Sequence, residues 1–448
     1  MKKVITYGTF DMFHEGHRSL LERAKALGDY LIVGITTEQY DIQRGKLNVA
    51  DSFMQRFENV RNSGYADEII IEEHNAQKID DIKKYKIDIL TVGSDWRGHM
   101  DYLNEYCQVV YLDRTRNISS SALRDTHRGI VEVGFVGTGR VACRILHEFK
   151  LVSGVSVKAV YNPKIKSAEQ FANNYELAAA YDDYDMFLSA IDAVYIASPH
   201  ETHYDYIHKA LLAGKHVLCE KPMVLKTKQA VELFKLAHTH KLVLMEAIKT
   251  AYAPGFLNLL SVAKSGRIGK IYDIEATFTK LIDNTKNARE YNTPSGGSFS
   301  ELASYVLLPI IKLLGIEYKH VNFHFFKDNT PVDIYAKAHF IYDNAIASAK
   351  MGIGVKSEGQ LVISGTRGYI LAKAPWWLLK SFEVCYEDPS QNESFSAPFP
   401  GDGMRYEIAD FIKNINEPGM RTYQVTREES IALAEIIELF LQQRNKDV

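Results

Sequence analysis

The chain has 448 residues, with 53 Lys and Arg against 56 Asp and Glu, and 46% of its residues are hydrophobic. This length predicts about three domains of ordinary size, and the hydrophobic share excludes a disordered or fibrous chain. The net charge of −3 argues against a general nucleic-acid binder. No uncharged apolar run is long enough for a transmembrane helix, and the N-terminal segment turns polar too early for a secretory signal.

The cysteines are few and widely spaced, at Cys107, Cys143, Cys219 and Cys385. They form no CxxC pair, so neither a zinc site nor a disulfide framework is predicted. We therefore expect free, buried thiols in a cytoplasmic protein. From the charge and hydropathy we also expect no nucleic-acid partner and no membrane insertion, which leaves small-molecule substrates.

Short apolar runs alternate with helical patterns, and this pattern starts twice, at residues 4–6 and again at 131–136. Such alternation predicts parallel sheets with crossover helices. After about Ala247 longer alternating stretches predict an open, mainly antiparallel sheet. The predicted class is α/β, with domains at 1–128, 131–247 and 248–448. Two helical stretches close the chain, 406–415 and 427–443, and are candidates for packing back on the second domain.

The first strand runs into a glycine-marked turn that reads GTFDMFHEGH over residues 8–17. A glycine at a strand end lets the backbone pass close to a bound phosphate. His14 and His17 are three apart, so at a helix N-terminus they share a face where free N–H groups already favour anions. Two imidazoles there would neutralise charge on a reacting phosphorus. Taken alone, two histidines on a helix are more often surface or capping residues.

Three downstream features favour the phosphate interpretation. Arg44 and Lys46 form a basic pair in a loop, and a strand ends at Gly93, followed by Asp95. The stretch RTRNISSS at 114–121 offers guanidinium and hydroxyl groups before a helix-like segment. In isolation that stretch would also suit a charged surface turn.

With these motifs in order, residues 1–128 resemble the cytidylyltransferase family, most closely the glycerol-3-phosphate cytidylyltransferases, with their GTFDxxHxGH and RxxxIST-type segments. The resemblance implies that His14 and His17 stabilise the α-phosphate of CTP, that Lys46 and Arg44 bind phosphates from the opposite side, and that pyrophosphate is released. It also implies Mg²⁺, whose direct ligands are not assigned. The implied catalytic residues are His14, His17, Lys46 and Arg114, and the implied nucleotide-binding residues are Gly8, Thr9, Phe10, Asp11, Arg44, Asp95, Ser119 and Ser120. Departures at 47–52 and at Ser120 leave the acceptor open, with glycerol 3-phosphate as the first hypothesis.

The second glycine-marked turn, at residues 137–142, reads G-x-G-x-x-A between a strand and a helix. This pattern allows close approach of a pyrophosphate, although many strand-to-helix turns carry two glycines for steric reasons. The next strand ends at Val160 and is followed by Asn162 and Lys164, with no acid to pair with a ribose 2′-hydroxyl. This favours NADP(H), while Asn162 also suits NAD(H).

Farther along, AGKHVLCEKP occupies 213–222, and Met-Glu-Ala occupies 245–247. With the glycine turn, these motifs make residues 131–448 resemble the Gfo/Idh/MocA oxidoreductases. The resemblance implies that Lys221 contacts substrate and assists proton transfer, and that Tyr305, in the segment GGSFSELASY, is the proton donor, its phenol pKa lowered by the ammonium. A core tyrosine is the alternative interpretation. Lys249 stands where the family commonly has an arginine and is a substitute cation for substrate. The implied cofactor-binding residues are Gly137, Thr138, Gly139, Arg140, Val141, Asn162, Lys164, Ser198, Pro199, His203, Glu220 and Pro222.

Together the resemblances predict a Rossmann-like nucleotidyltransferase domain, a Rossmann dinucleotide-binding domain and an α+β domain in one bifunctional enzyme. The hypothesis is a CDP-polyol, such as CDP-glycerol, for cell-surface polysaccharide, made by cytidylyl transfer and by reduction of a small carbonyl precursor. The open alternatives are reduction of a CDP-linked sugar, another alcohol phosphate or ATP at the first site, and one unit serving as a degenerate nucleotide sensor. Both families usually self-associate, so a homo-oligomer is expected.

Overall fold

The computed structural model describes residues 1–74, 76–113, 130–283, 288–421 and 423–446, with the exception of the side chains of Asp95 and Met420. Contacts divide the chain into two compact units, residues 1–134 with 143–192, and residues 135–142 with 193–448. Among the described helices, none is both long and apolar enough to cross a membrane.

The first sheet in the described chain is fully parallel, with strand order β3-β2-β1-β4-β5. Its strands are β1 (Lys3–Gly8), β2 (Tyr30–Thr36), β3 (Glu68–Glu72), β4 (Ile89–Gly93) and β5 (Gln108–Leu112). Its helices are α1 (Glu15–Lys25), α2 (Glu38–Gln43), α3 (Phe53–Asn62) and α4 (Gln77–Tyr85).

Successive residues of β1 point to opposite faces of this sheet. Val4 packs with Leu21 of α1, whereas Ile5 packs with Ile82 of α4. The strand order reverses between β1 and β4, and ligands of such sheets bind beyond the carboxyl ends of the strands at that point. Gly8 and Gly93 are the last residues of those two strands, so the fold itself marks this edge as a site.

The second sheet has the order β11-β10-β9-β6-β7-β8. Its strands are β6 (Val131–Val136), β7 (Val155–Tyr161), β8 (Ala179–Tyr181), β9 (Ala193–Ile196), β10 (His216–Glu220) and β11 (Leu244–Ala247). Its helices are α5 (Arg140–Phe149), α6 (Ile165–Tyr175), α7 (Tyr184–Ser189), α8 (His203–Leu212) and α9 (Thr227–Thr239). Every residue of β6 is buried, as expected for a strand covered on both faces.

The third sheet has the order β13-β14-β15-β12-β16-β17-β18-β19 in the described chain, antiparallel except where β12 pairs with β15. Its strands are β12 (Ile271–Thr279), β13 (His320–Phe326), β14 (Tyr335–Ile341), β15 (Ile346–Gly352), β16 (Leu361–Gly365), β17 (Tyr369–Ala372), β18 (Ser381–Cys385) and β19 (Glu393–Ser396). The later helices are α10 (Pro254–Lys264), α11 (Arg289–Asn292), α12 (Ser298–Leu314), α13 (Arg405–Asn416) and α14 (Arg427–Lys446). The predicted α/β class with a mainly antiparallel last sheet is confirmed.

Helix α14 contacts the second domain through α9. The backbone N–H and the hydroxyl of Thr227 both donate to the Glu438 carboxylate, at 2.9 and 2.7 Å. The last helix of the chain is therefore tied to the dinucleotide-binding portion within the same unit.

Helix α12 starts at a buried ion pair. Asp333 accepts from the Ser298 hydroxyl at 2.6 Å and from the Phe299 N–H at 2.8 Å, which caps the first turn. The same carboxylate pairs with Arg444 of α14 at 2.8 Å, and both side chains are buried. Because α12 carries Glu301 and Tyr305, this pair fixes the segment that the sequence predicts to be catalytic.

We predict that Asp333→Ala lowers the free energy of unfolding by about 3–5 kcal/mol, because it leaves a buried guanidinium unpaired. The matched control is Asp343→Ala, which breaks the exposed pair between Lys319 and Asp343 and should cost less than about 1 kcal/mol. Urea denaturation followed by circular dichroism measures both. Equal losses in the two variants would contradict the structural role of the buried pair.

Candidate active sites

A cavity of about 810 Å³ lies at the carboxyl edge of the first sheet. Its lining combines the first glycine turn, the basic loop and the end of β4. The lining residues that the sequence predicts for this site are Gly8, Thr9, Phe10, Asp11, His14, His17, Arg44 and Lys46. Arg114, Ser119 and Ser120 lie outside the described residues, as does the side chain of Asp95.

The two histidines form a stacked pair at the start of α1. Their ring centroids are 3.9 Å apart. His14 is the N-cap, and its Nδ1 accepts from the Gly16 N–H at 3.0 Å, while His17 Nδ1 accepts from the His14 N–H at 3.4 Å. A side chain at Gly16 would place its Cβ 2.7 Å from the His14 ring, so this turn needs glycine.

These hydrogen bonds decide what the imidazoles offer a ligand. Because each Nδ1 accepts, the proton of a neutral ring resides on Nε2. Burial, followed by the nearby charges of His14 and Lys46, holds the pKa of His17 well below its usual value. His17 is therefore neutral at pH 7 and presents an Nε2–H donor, which suits a phosphoryl oxygen.

The basic pair is held by two different sets of contacts. Arg44 bonds the Asp41 carboxylate at 2.6 and 2.9 Å and the Thr9 hydroxyl, and Asp41 is almost fully buried. Lys46 instead donates from Nζ to the backbone carbonyl of Lys150 at 3.0 Å. Burial, followed by the charge of Arg44, lowers the pKa of Lys46 to about 8.

Asp11 has a structural task in this cavity. Its carboxylate accepts from the N–H groups of Ala50 and Asp51 at 2.8 to 3.1 Å, and so fixes the loop that follows the basic pair. Within the described residues, no group of three or more His, Cys, Asp or Glu side chains is arranged to hold a metal ion.

The sequence analysis missed a buried pair in the same cavity, Lys78 and Glu72. Lys78 Nζ also lies 4.9 Å from the centre of the Tyr7 ring. The signal was available, because Lys78 and Asp81 occupy the apolar face of α4 together with Ile82. Charged residues on a buried face point to a polar cavity beneath it.

The second glycine turn fits a dinucleotide. Gly137 has φ +99°, and a Cβ there would lie 2.7 Å from the carbonyl oxygen of Ala197, so only glycine is accommodated. A Cβ on Gly139 would meet nothing within 4 Å, which leaves open space at the start of α5. Open space beside the unpaired N–H groups of a helix start is what a pyrophosphate requires.

Three further residues that the resemblance assigns to the cofactor make side-chain or main-chain contacts within the protein. Arg140, the first residue of α5, pairs with the buried Glu290. Asn162 and Lys164 follow the carboxyl end of β7, where Asn162 Oδ1 accepts from the Lys164 N–H at 2.9 Å. Thr138 and Val141 belong to the same turn and helix start as Arg140.

Lys221 and Tyr305 lie together, as the sequence predicts. Lys221 Nζ is 5.5 Å from the centre of the Tyr305 ring and donates to the backbone carbonyl of Glu301 at 2.8 Å. The peptide bond between Lys221 and Pro222 is cis. The Glu301 carboxylate faces Arg289 at 3.3 Å and His200 Nε2 at 3.9 Å.

His200 belongs to the same cluster, although the sequence analysis assigns it no role. Its ring is buried, and burial, then the charges of His203 and Lys221, holds its pKa well below the usual value. A neutral imidazole beside Lys221 and Glu301 is therefore part of this cluster. His200 and His203 are three apart, as His14 and His17 are, so the spacing was a signal that the sequence analysis did not use for His200.

Three more of the predicted residues interact with protein groups close to Lys221. They are His203, Glu220 and Lys249. The buried His203 ring bridges the backbone carbonyls of Ser198 and Pro222, at 2.9 and 3.0 Å. The Tyr195 hydroxyl donates to the Glu220 carboxylate at 2.6 Å. The pKa of Glu220 is raised, because the effect of burial exceeds the opposite effects of Lys221 and Lys249.

Fold and geometry thus define a nucleotidyl-transfer domain followed by a dinucleotide-dependent oxidoreductase. Comparison with family models agrees: the cytidylyltransferase-like model matches residues 5–126, the Gfo/Idh/MocA NAD-binding Rossmann model 131–248, and the Gfo/Idh/MocA C-terminal model 256–371. The chain belongs to the cytidylyltransferase-like family in its N-terminal part and to the Gfo/Idh/MocA oxidoreductase family in the remainder.

Two curated relatives illustrate the two parts. A glycerol-3-phosphate cytidylyltransferase of Bacillus spizizenii is 49% identical over 124 residues, 28% of this chain and 95% of that protein. A scyllo-inositol 2-dehydrogenase (NADP(+)) of Bacillus subtilis is 27% identical over 319 residues, 69% of this chain and 95% of that protein.

Solved structures share the fold of the C-terminal part. The 3-ketoreductase KijD10 of Actinomadura kijaniata, in complex with NADP and TDP-benzene, is 22% identical, covers 69% of this chain and 96% of its own, and has a TM-score of 0.61. UDP-N-acetylglucosamine 3-dehydrogenase of Acidithiobacillus ferrooxidans is 20% identical, covers 70% and 99%, and has a TM-score of 0.59.

We predict that the affinity for CTP falls as pH rises through about 8, the pKa of Lys46. Burial depresses this pKa, so the ammonium is charged below pH 8 and neutral above it. A phosphate ligand that needs the charged form should bind roughly tenfold more weakly at pH 9 than at pH 7.

Isothermal titration calorimetry with CTP across this range provides the measurement. The control is Lys46→Arg, whose guanidinium stays protonated and should flatten the profile. A wild-type affinity that is constant to pH 9.5 would contradict the assignment.

Proposed function

We propose that the chain makes a CDP-activated polyol by combining cytidylyl transfer from CTP with reduction of a keto or aldehyde sugar-type precursor. The observation that carries the proposal is that each part groups its own chemistry-bearing side chains. His14, His17 and Lys46 line one cavity, and Lys221 lies beside Tyr305 in the other part.

In the first reaction, a phosphate oxygen of the acceptor attacks the α-phosphorus of CTP. The bond between the α- and β-phosphates breaks, and pyrophosphate leaves. His14 and His17 donate from Nε2 to the α-phosphoryl oxygens, while Lys46 and Arg44 hold the phosphates. This is catalysis by positioning and electrostatics, with no covalent intermediate on the protein.

In the second reaction, a nicotinamide held at the second glycine turn would be the source of the hydride for the carbonyl carbon of the substrate. Tyr305 gives its hydroxyl proton to the carbonyl oxygen, and Lys221 stabilises the phenolate that remains. Glu301 orients Lys221 through its backbone carbonyl. The open glycine turn suits a dinucleotide, and the absence of an acid from residues 161–166 supports NADP(H) as the cofactor.

The names of the relatives support polyol chemistry in both the N-terminal and the C-terminal part of the chain. The N-terminal relative transfers cytidylyl groups to glycerol 3-phosphate, and one C-terminal relative oxidises scyllo-inositol with NADP(+). A polyol phosphate as the acceptor and an NADP-linked carbonyl–alcohol pair as the redox substrate follow from these by analogy.

A specific observation favours a second order of events, in which reduction follows activation. A cavity of about 470 Å³ in the second unit is lined by Arg140, Lys280 and Arg289 together with Asp283 and Glu290. Arg289 pairs with the same Glu301 whose carbonyl binds Lys221. Cations beside the reductive centre suit a nucleotide diphosphate, and the two similar structures take nucleotide-linked compounds by name.

The test is pyrophosphate release and NADPH oxidation, measured in parallel with CTP and Mg²⁺. Polyol phosphates and ketose phosphates of increasing length, beginning with glycerol 3-phosphate and dihydroxyacetone phosphate, are the acceptors. If reduction comes first, a ketose phosphate releases pyrophosphate only when NADPH is present. If activation comes first, it releases pyrophosphate without NADPH, and NADPH oxidation requires CTP.

Two variants separate the reactions. His17→Ala should reduce pyrophosphate release from a polyol phosphate by roughly 100-fold or more, and Tyr305→Phe should reduce NADPH oxidation by a similar factor while leaving that release intact. Tight nucleotide binding without turnover of any acceptor would favour a nucleotide sensor instead.

A further inference from the structure

The cavity of the nucleotidyl-transfer site has a wall that the cytidylyltransferase-like part does not supply. Residues 149–155, which run from the end of α5 to the start of β7 in the oxidoreductase part, line it together with the histidine pair. We call residues 149–155 the wall segment. Phe149 and Val152 in this segment are buried.

The wall segment is joined to the basic loop by main-chain hydrogen bonds. The Leu47 N–H donates to the Leu151 carbonyl at 2.8 Å, and the Ser153 N–H donates to the Leu47 carbonyl at 2.9 Å. These bonds form a parallel bridge between Leu47 and Val152. Leu47, which directly follows Lys46, is thereby held through both its N–H and its carbonyl group.

The side chain of Lys46 is fixed by the same segment. Its Nζ donates a hydrogen bond to the Lys150 carbonyl at 3.0 Å, and within the described residues its other two N–H donors are available for phosphate oxygens. The contrast with Arg44 is informative, because Arg44 is held by Asp41 and Thr9, which both belong to the cytidylyltransferase-like part.

We propose that residues 150–153 of the oxidoreductase part are positioning residues for cytidylyl transfer: their main chain holds Lys46 at the nucleotide site and closes one wall of the cavity. This inference rests on the cytidylyl transfer proposed above. A lysine in an unsupported loop would have to be ordered each time CTP binds, and holding it beforehand removes that cost.

The test uses Ser153→Pro in the full chain. Proline has no N–H, so the bond to the Leu47 carbonyl is lost, whereas the matched control Ser153→Ala keeps that N–H. We expect Ser153→Pro to weaken CTP binding about tenfold in calorimetry and Ser153→Ala to stay within about twofold of wild type. NADPH binding and circular dichroism establish that each variant is folded.

A pH profile distinguishes positioning from general damage to the fold. Lys46 is half-buried, it interacts electrostatically with Arg44, Asp11, Asp41 and His17, and its pKa is about 8. Freed from the wall segment into water, its pKa returns toward 10.5. The pH at which CTP affinity falls should therefore move upward in Ser153→Pro and stay in place in Ser153→Ala.

Hydrogen exchange on the unmodified chain tests the contact itself, even where the proline variant does not fold. Peptides containing the amides of Leu47 and Ser153 should exchange slowly without any ligand. Rapid exchange of both would overturn the proposal, as would a folded Ser153→Pro with wild-type CTP affinity and pH profile. If the wild type binds no CTP, the proposed function fails, whereas slow exchange at Leu47 and Ser153 would still establish the contact.

Discussion

Both candidate sites depend on the same constraint: a helix that starts directly after a central strand of a parallel sheet leaves backbone N–H groups without partners inside the helix. In the first site this is the junction of β1 and α1, and in the second the junction of β6 and α5. Glycines let a ligand approach those N–H groups closely. Each site adds its own side chains at this helix start, and in the first site His14 itself caps the first turn by accepting from the Gly16 N–H.

Burial then shifts the pKa of those side chains and so sets their protonation state. His17 and His200 are both kept neutral by burial, in two sites with different reactions. Lys46 retains an ammonium only below about pH 8. By contrast, Asp333 and Arg444 are buried as a pair, which stabilises α12 and therefore the position of Tyr305. Burial raises the pKa of Asp333 as well, while Ser298 and Arg444 lower it, so this carboxylate depends on its partners to stay charged.

The sequence predicted most of the strands, because periodicity and glycine turns mark them, and it predicted both motifs that begin the two sites. It missed α12, which is apolar nearly all round and so has no amphipathic stripe. It also missed β17 to β19, which are only four or five residues long. It overlooked Lys78, although charged residues on the apolar face of α4 were a signal for it. The wall segment was beyond its reach, since its role depends on contacts between residues distant in the chain.

The central claim is that the two reactions act on one molecule. The direct measurement supplies the full chain with CTP labelled at its α-phosphate, NADPH tritiated on the transferred hydrogen, and ketose phosphates of three to six carbons. Separation of the products by ion-exchange chromatography should give one nucleotide-linked polyol that carries both labels. Phosphorus label and tritium in two separate products, with none carrying both, would contradict the account.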